Sequence, residues 1–176
     1  MKNDIFELSK KKVDLISKNL VLFMKSDVPL SQDSANFIVN WILSGAEEKN
    51  KLCYDIWDNV LKNYMPDKHP VLYRSCNRRI NGEIASFTGS IYSAYRFSQG
   101  KGFLLICDTS KLLVYEQFNN QGEYRHTFFP IAELLKKESK SVNCKFSEKF
   151  INDYLNEDEY IMRVDLESMY SCKWYS

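Results

Sequence analysis

The chain has 176 residues, of which 44% are hydrophobic, 14% aromatic and 27% charged. This is the balance of an ordinary globular domain, and it excludes a disordered, collagen-like or coiled-coil chain. With 24 basic and 23 acidic residues the net charge is +1, too weak a field to draw the protein onto nucleic acid.

At this length folding buries roughly 70% of the surface that the unfolded chain exposes, enough for one sizeable core without metal or disulfide support. The cysteines Cys53, Cys76, Cys107, Cys144 and Cys172 are odd in number, scattered, and never form a Cys-x-x-Cys pair. They therefore read as thiols of a reducing cytoplasm, with neither a disulfide framework nor a zinc site. Met1-Lys2-Asn3-Asp4-Ile5-Phe6-Glu7 carries charges where a signal peptide needs an apolar core. No segment approaches the roughly 18 apolar residues of a membrane span. A monomer in the cytoplasm, away from membranes, is the expectation.

The first third reads as helix. From Ile5, apolar residues at Leu8, Val13, Ile16, Leu20 and Phe23 keep helical spacing, with Lys10, Lys11 and Lys12 on a solvated face. A second helix is predicted after Pro29, with Ser31 as N-cap, Phe37, Ile38, Trp41 and Ile42 on one stripe, and Gly45 ending it. Leu52, Ile56 and Val60 place a third between Glu47 and Tyr64, and Met65-Pro66-Asp67-Lys68-His69-Pro70 then stops any helix with two prolines. That stretch marks a boundary between a helical lobe, 1–66, and a body, 67–176. The body changes to short extended runs at Val71 to Tyr73, Ile84 to Thr88, Phe103 to Cys107, Leu112 to Tyr115 and Tyr160 to Leu166. Shorter helices are predicted at Tyr92 to Ser98, Ile131 to Lys137 and Ser147 to Leu155. Helices first, then a mostly antiparallel α+β body, is the resulting architecture.

Several chemistries are disfavoured. The two histidines, His69 and His126, have no Cys, Asp or Glu at metal-ligand spacing, which speaks against a histidine metal site or a Ser-His-Asp triad. Neither Gly-x-x-x-x-Gly-Lys-Ser/Thr nor Gly-x-Gly-x-x-Gly occurs, so a nucleotide would have to be held without a phosphate loop or a Rossmann turn.

Three segments stand out in order: Leu72-Tyr73-Arg74-Ser75, Ser86-Phe87-Thr88-Gly89-Ser90 running from strand into helix, and Glu157-Asp158-Glu159-Tyr160-Ile161 entering a late strand. Together they resemble the Arg, Ser-x-Ser, Glu-x-Glu signature of mono-ADP-ribosyltransferases, and are most similar to the small ADP-ribosyltransferases of T-even bacteriophages. The resemblance spans Pro70 to Val164. It implies two facing, mainly antiparallel sheets with NAD between them, preceded by a helical lobe. It also implies transfer of ADP-ribose from NAD, without metal, to an acceptor such as an arginine of a host protein, a nucleic-acid acceptor staying open.

By the same resemblance Arg74 takes the NAD phosphates and the backbone of Ser75 the nicotinamide amide. Thr88 and Ser90, matched by the helix that follows them, are the two hydroxyls on the ribose side, Glu159 is the catalytic carboxylate, and Glu157 faces the acceptor guanidinium. The residue types suit this chemistry. An arginine on a strand offers a planar fork to pyrophosphate. Cleavage of the glycosidic bond builds positive charge on the ribose, which a fixed carboxylate stabilises by about 3 to 4 kcal/mol. Each residue also has an ordinary structural role: arginine pairs with a surface carboxylate, Ser90 caps a helix, and Glu157-Asp158-Glu159 closes one as an acidic turn. Ser75 stands where the family usually has glycine, and Ile161-Met162-Arg163 where it has an aliphatic-proline-glycine run. The rival readings are a binding module of the same fold without catalysis, inhibiting a host defence complex, and an unrelated protein that acts through protein contacts.

Overall fold

The structure, a computed structural model, describes residues 9–49, 54–113 and 124–174. The expected helix start at Ile5 and Leu8, together with Leu52, Cys53, Val114 and Tyr115, lies outside them. The chain divides into two compact units, Met1–Asn63 and Tyr64–Ser176.

The first unit holds α1 (Lys10–Lys25), α2 (Gln32–Leu43), α3 (Ala46–Lys49) and α4 (Tyr54–Asn63). Ser9 and Ser31 open α1 and α2 by accepting from the backbone N–H of Lys12 and Ser34, donors that a first turn leaves unpaired. The helical stripe Val13, Ile16, Leu20 and Phe23 is buried, as are Ile56, Trp57 and Val60. The Trp57 ring lies 5.1 Å from Phe37, tilted at 53°, and 5.3 Å from Trp41, edge-on at 74°, the latter a geometry that aromatic pairs prefer.

The second unit is α+β. In order it contains β1 (Val71–Cys76), β2 (Ile84–Thr88), α5 (Ile91–Ser98), β3 (Phe103–Asp108), β4 (Leu112–Leu113), β5 (Tyr124–Arg125), β6 (Phe128–Pro130) and α6 (Ile131–Glu138). There follow α7 (Glu148–Tyr154), a 3₁₀ turn (Leu155–Glu157), β7 (Glu159–Arg163) and β8 (Tyr170–Lys173). Six strands form one antiparallel sheet in the order β6-β7-β2-β1-β3-β8, and β4 pairs with β5 alone.

This differs from the two facing sheets expected above, because β2 pairs along both of its edges and so joins the two sides. The join is narrow. β1 and β3 pair from Val71↔Asp108 to Cys76↔Phe103, and β2 and β7 from Ile84↔Arg163 to Thr88↔Glu159. Between β1 and β2 the register consists of Tyr73↔Thr88. The sheet is thus two three-stranded halves, β6-β7-β2 and β1-β3-β8, that meet at a seam.

Alternation along the strands puts Leu72, Ala85, Phe87, Leu105, Cys107, Phe128 and Met162 on one face, where they form a buried cluster. Directly paired residues share a face, so Tyr73, Thr88 and Glu159 lie in one row on the other face. The strand expected to run to Leu166 stops at Arg163. The chain turns at Asp165, whose carbonyl accepts from the N–H groups of Ser168 and Met169.

Candidate functional site

The row Tyr73, Thr88, Glu159 sets the site. Its neighbour on β2, two residues before Thr88 and therefore on the same face, is Ser86. The Ser86 hydroxyl donates to Glu159 Oε1 at 2.5 Å, and the glutamate as a whole is only 8% exposed. A buried carboxylate needs donors to offset its desolvation, and this hydroxyl also fixes its rotamer.

Thr88, 4% exposed, donates from Oγ1 to the carbonyl of Glu157 at 3.0 Å and accepts from the Ser90 N–H at 3.2 Å. It therefore ties the end of β2 to the turn before β7. Ser90 is the N-cap of α5, accepting from the Ser93 N–H at 3.3 Å. The structure thus brings Ser86, and neither Thr88 nor Ser90, onto the Glu159 carboxylate. Glu157 ends the 3₁₀ turn and Asp158 is left-handed at φ 48°, so Glu157 is placed by the turn and not by strand alternation. Gly89 leaves room for the Asp158 carboxylate, which a Cβ there would displace.

Arg74 lies one residue past Tyr73 and so on the opposite, core face of the sheet. Its Nη1 donates to the carbonyl of Ser86 at 3.0 Å, and Nη2 pairs with Glu83 Oε1 at 3.0 Å. The side chains of the pair are 21% and 9% exposed, and Nε is buried without a hydrogen-bond partner. Both arms of the fork are engaged within the protein, and one of them holds the backbone of the serine that holds Glu159. Ser75 donates to the Ala94 carbonyl at 2.6 Å and accepts from Trp174 Nε1 at 3.0 Å, which fastens α5 and the segment after β8 onto β1.

Ser86 lies outside the hydroxyl pair expected from the sequence, Thr88 and Ser90, which is set by the helix that follows. The signal was present in β2, where Ala85 and Phe87 mark the core face and leave Ser86 and Thr88 together on the other. Also unforeseen is a cluster around His126, whose Nε2 lies 3.0 Å from Ser168 Oγ while that hydroxyl donates to Asp165 Oδ2 at 2.6 Å. The serine's single hydrogen goes to the carboxylate, so Nε2–H is the donor toward Ser168. This is the reverse of a relay in which histidine takes the proton of serine.

Among the described residues no group of three or more His, Cys, Asp or Glu side chains converges to hold a metal, and no helix is long and apolar enough to cross a membrane. Comparison with protein-family models, curated proteins and solved structures finds no match for the chain.

Two expectations follow from this geometry. Arg74→Ala leaves the Glu83 carboxylate buried without its cation and should lower unfolding stability by about 3 to 5 kcal/mol, whereas the double variant with Glu83→Ala should recover part of that loss. Urea denaturation of the four proteins measures the coupling, and simple additivity would mean that the pair is not formed. His126 is held below its ordinary 6.5 mainly by burial, against the opposing pull of Asp165 and Asp108. The unfolded state then binds the proton more readily, so stability is full above the unfolded value and falls as pH drops below it, by at most about 1.4 kcal/mol per pH unit. Between pH 7.5 and 5.5 the native protein should therefore lose more stability than His126→Gln, and equal losses would contradict the assignment.

Proposed function

We propose that the protein cleaves the nicotinamide glycosidic bond of NAD and transfers ADP-ribose to an acceptor, with Glu159 as the catalytic carboxylate. The observation that carries this reading is the Ser86 to Glu159 hydrogen bond between β2 and β7. A carboxylate whose rotamer is fixed before the reaction stabilises charge that develops on a ribose without reorganising.

In the step, the bond from ribose C1′ to nicotinamide nitrogen breaks, and its electron pair leaves with nicotinamide. A bond from C1′ to an acceptor nitrogen forms as that nitrogen loses a proton. Glu159 faces the transient positive charge, and Glu157 at the turn orients the acceptor. Arginine on a host protein, modified in the host cytoplasm during phage infection, is the acceptor to which the resemblance points. Thr88 and Ser90 line the ribose side, the backbone at Ser75 lies toward the nicotinamide amide, and Arg74 is a positioning residue acting through the Ser86 carbonyl. On this reading the sheet halves β6-β7-β2 and β1-β3-β8 correspond to the two sheets of the ADP-ribosyltransferase fold, and NAD enters where they part at the seam.

A second reading is favoured by one feature. With both Nη atoms of Arg74 on Ser86 and Glu83, the fork is not presented to a phosphate, as in a protein of this fold that binds a host defence complex without catalysis.

Nicotinamide release from NAD, followed with labelled NAD and host extract, tests the proposal. The native protein should release nicotinamide and label a host acceptor. Glu159→Gln should abolish both with little change in thermal midpoint, and Ser86→Ala should lower turnover by about tenfold or more. NAD binding without release would favour the second reading, and wild-type rates in Glu159→Gln would remove the assignment.

A further inference from the structure

On the core-face side of β7, away from Glu159, the second unit contains a cleft of about 480 Å³. Its walls include the rings of Tyr64, Phe128 and Tyr160, with Pro66, Pro70 and Pro130 between them, and Asp67, Lys68, His69 and Glu133 supply its charged and polar groups. Phe128 and Tyr160 meet edge-on at 5.6 Å and form one shared aromatic wall.

Carboxylates outnumber cations in this cleft, Glu133 and Asp67 against Lys68. The Tyr64 hydroxyl is pushed up to about 12, first by burial, then by Glu133 and Asp67. Burial, Asp158 and Glu133 likewise push Tyr160 up. Glu133 therefore acts on both phenols at once, and it takes no part in any ion pair among the described residues. His69 adds an independent sign: its Nδ1 is buried and has no hydrogen-bond partner. With the ring proton on Nε2, that nitrogen is an acceptor awaiting an N–H donor.

Ring faces attract cations, a carboxylate forms a charge-assisted hydrogen bond, and an imidazole nitrogen accepts an N–H; an ammonium group on an apolar stem satisfies all three. A neutral alcohol forms no charge-assisted bond with Glu133, and an anion meets two carboxylates, Glu133 and Asp67, against the single Lys68. The volume falls in the range of small-molecule sites.

We propose that this cleft, lined by Tyr64, Phe128, Tyr160, Glu133, Asp67 and His69, is a binding site for a small primary amine in its protonated form, distinct from the Glu159 site. The ammonium sits against Glu133 with its N–H groups toward His69 Nδ1, and the alkyl stem packs on the aromatic and proline walls.

Titration of the full chain with n-hexylammonium chloride at fixed ionic strength, followed by calorimetry and by amide chemical shifts, tests the assignment against n-hexanol and hexanoate. The ammonium should bind at least about tenfold more tightly than the alcohol, with shifts confined to Tyr64 to Pro70, Phe128 to Glu133 and Tyr160. Glu133→Gln, on the exposed side of α6, should keep the thermal midpoint and weaken binding about tenfold, and Asp67→Asn, a second variant remote from α6, should weaken it by less. No hexylammonium binding at millimolar concentration, equal affinity for the alcohol, unchanged affinity in both variants, or shifts centred on Ser86 and Glu159 would each overturn the proposal.

Discussion

The Arg74 guanidinium is the constraint on which the candidate site rests. Backbone pairing between β1 and β2 amounts to the Tyr73↔Thr88 position, so the two halves of the sheet would part there with little to set their distance. Arg74 reaches from β1 to the Ser86 carbonyl on β2 and to Glu83 just before it. A planar, permanently charged fork can make both contacts at once, which a lysine could not. From Ser86 the same rigidity passes through the hydroxyl to Glu159 on β7. Four residues from three strands and a loop thus form one polar line across the seam.

The two faces of the sheet divide the chemistry. On one face, Leu72, Phe87, Leu105, Cys107, Phe128 and Met162 close a dry core, and burial there pushes the Cys107 thiol up to about 12, with Asp108 and Asp165 adding to the shift. That makes it an inert apolar filler, not a nucleophile. On the other, the buried apolar residues Ile84, Leu104, Phe129 and Ile161 surround the polar group of Ser86, Thr88 and Glu159, and α5 is fastened to β1 through Ser75. Because neighbouring residues point to opposite faces, Glu159 and Tyr160 serve different surfaces although they are adjacent in sequence.

Much of the architecture was legible from local pattern. Ser31 before the Phe37, Ile38, Trp41 stripe marked α2, and the Ile84 to Thr88 run gave β2 with both bounds, because in each case a cap or a short extended run is written within a few residues. β8 was not legible: Tyr170 to Lys173 is an exposed edge strand, and it shows no buried period to read. β6 ends in Pro130 and leads directly into α6, so its three residues look like a helix entry. The partner of Arg74 was equally hidden, since Glu83 is brought near by a loop and not by spacing. The identity of the hydroxyl on Glu159 depended on register between strands some seventy residues apart, which only the fold sets, although the shared face of Ser86 and Thr88 was implicit in β2.

Mapping where NAD binds is the most direct test of the role given to Glu159. Amide and side-chain chemical shifts recorded on the full chain during titration with NAD should move at Ser86, Thr88, Ser90 and Glu159, while Leu105, Cys107 and Met162 on the core face stay in place. Saturable binding with that pattern is the predicted result; no binding, or shifts centred on the core-face side of β7 with Ser86 and Glu159 unmoved, would contradict it.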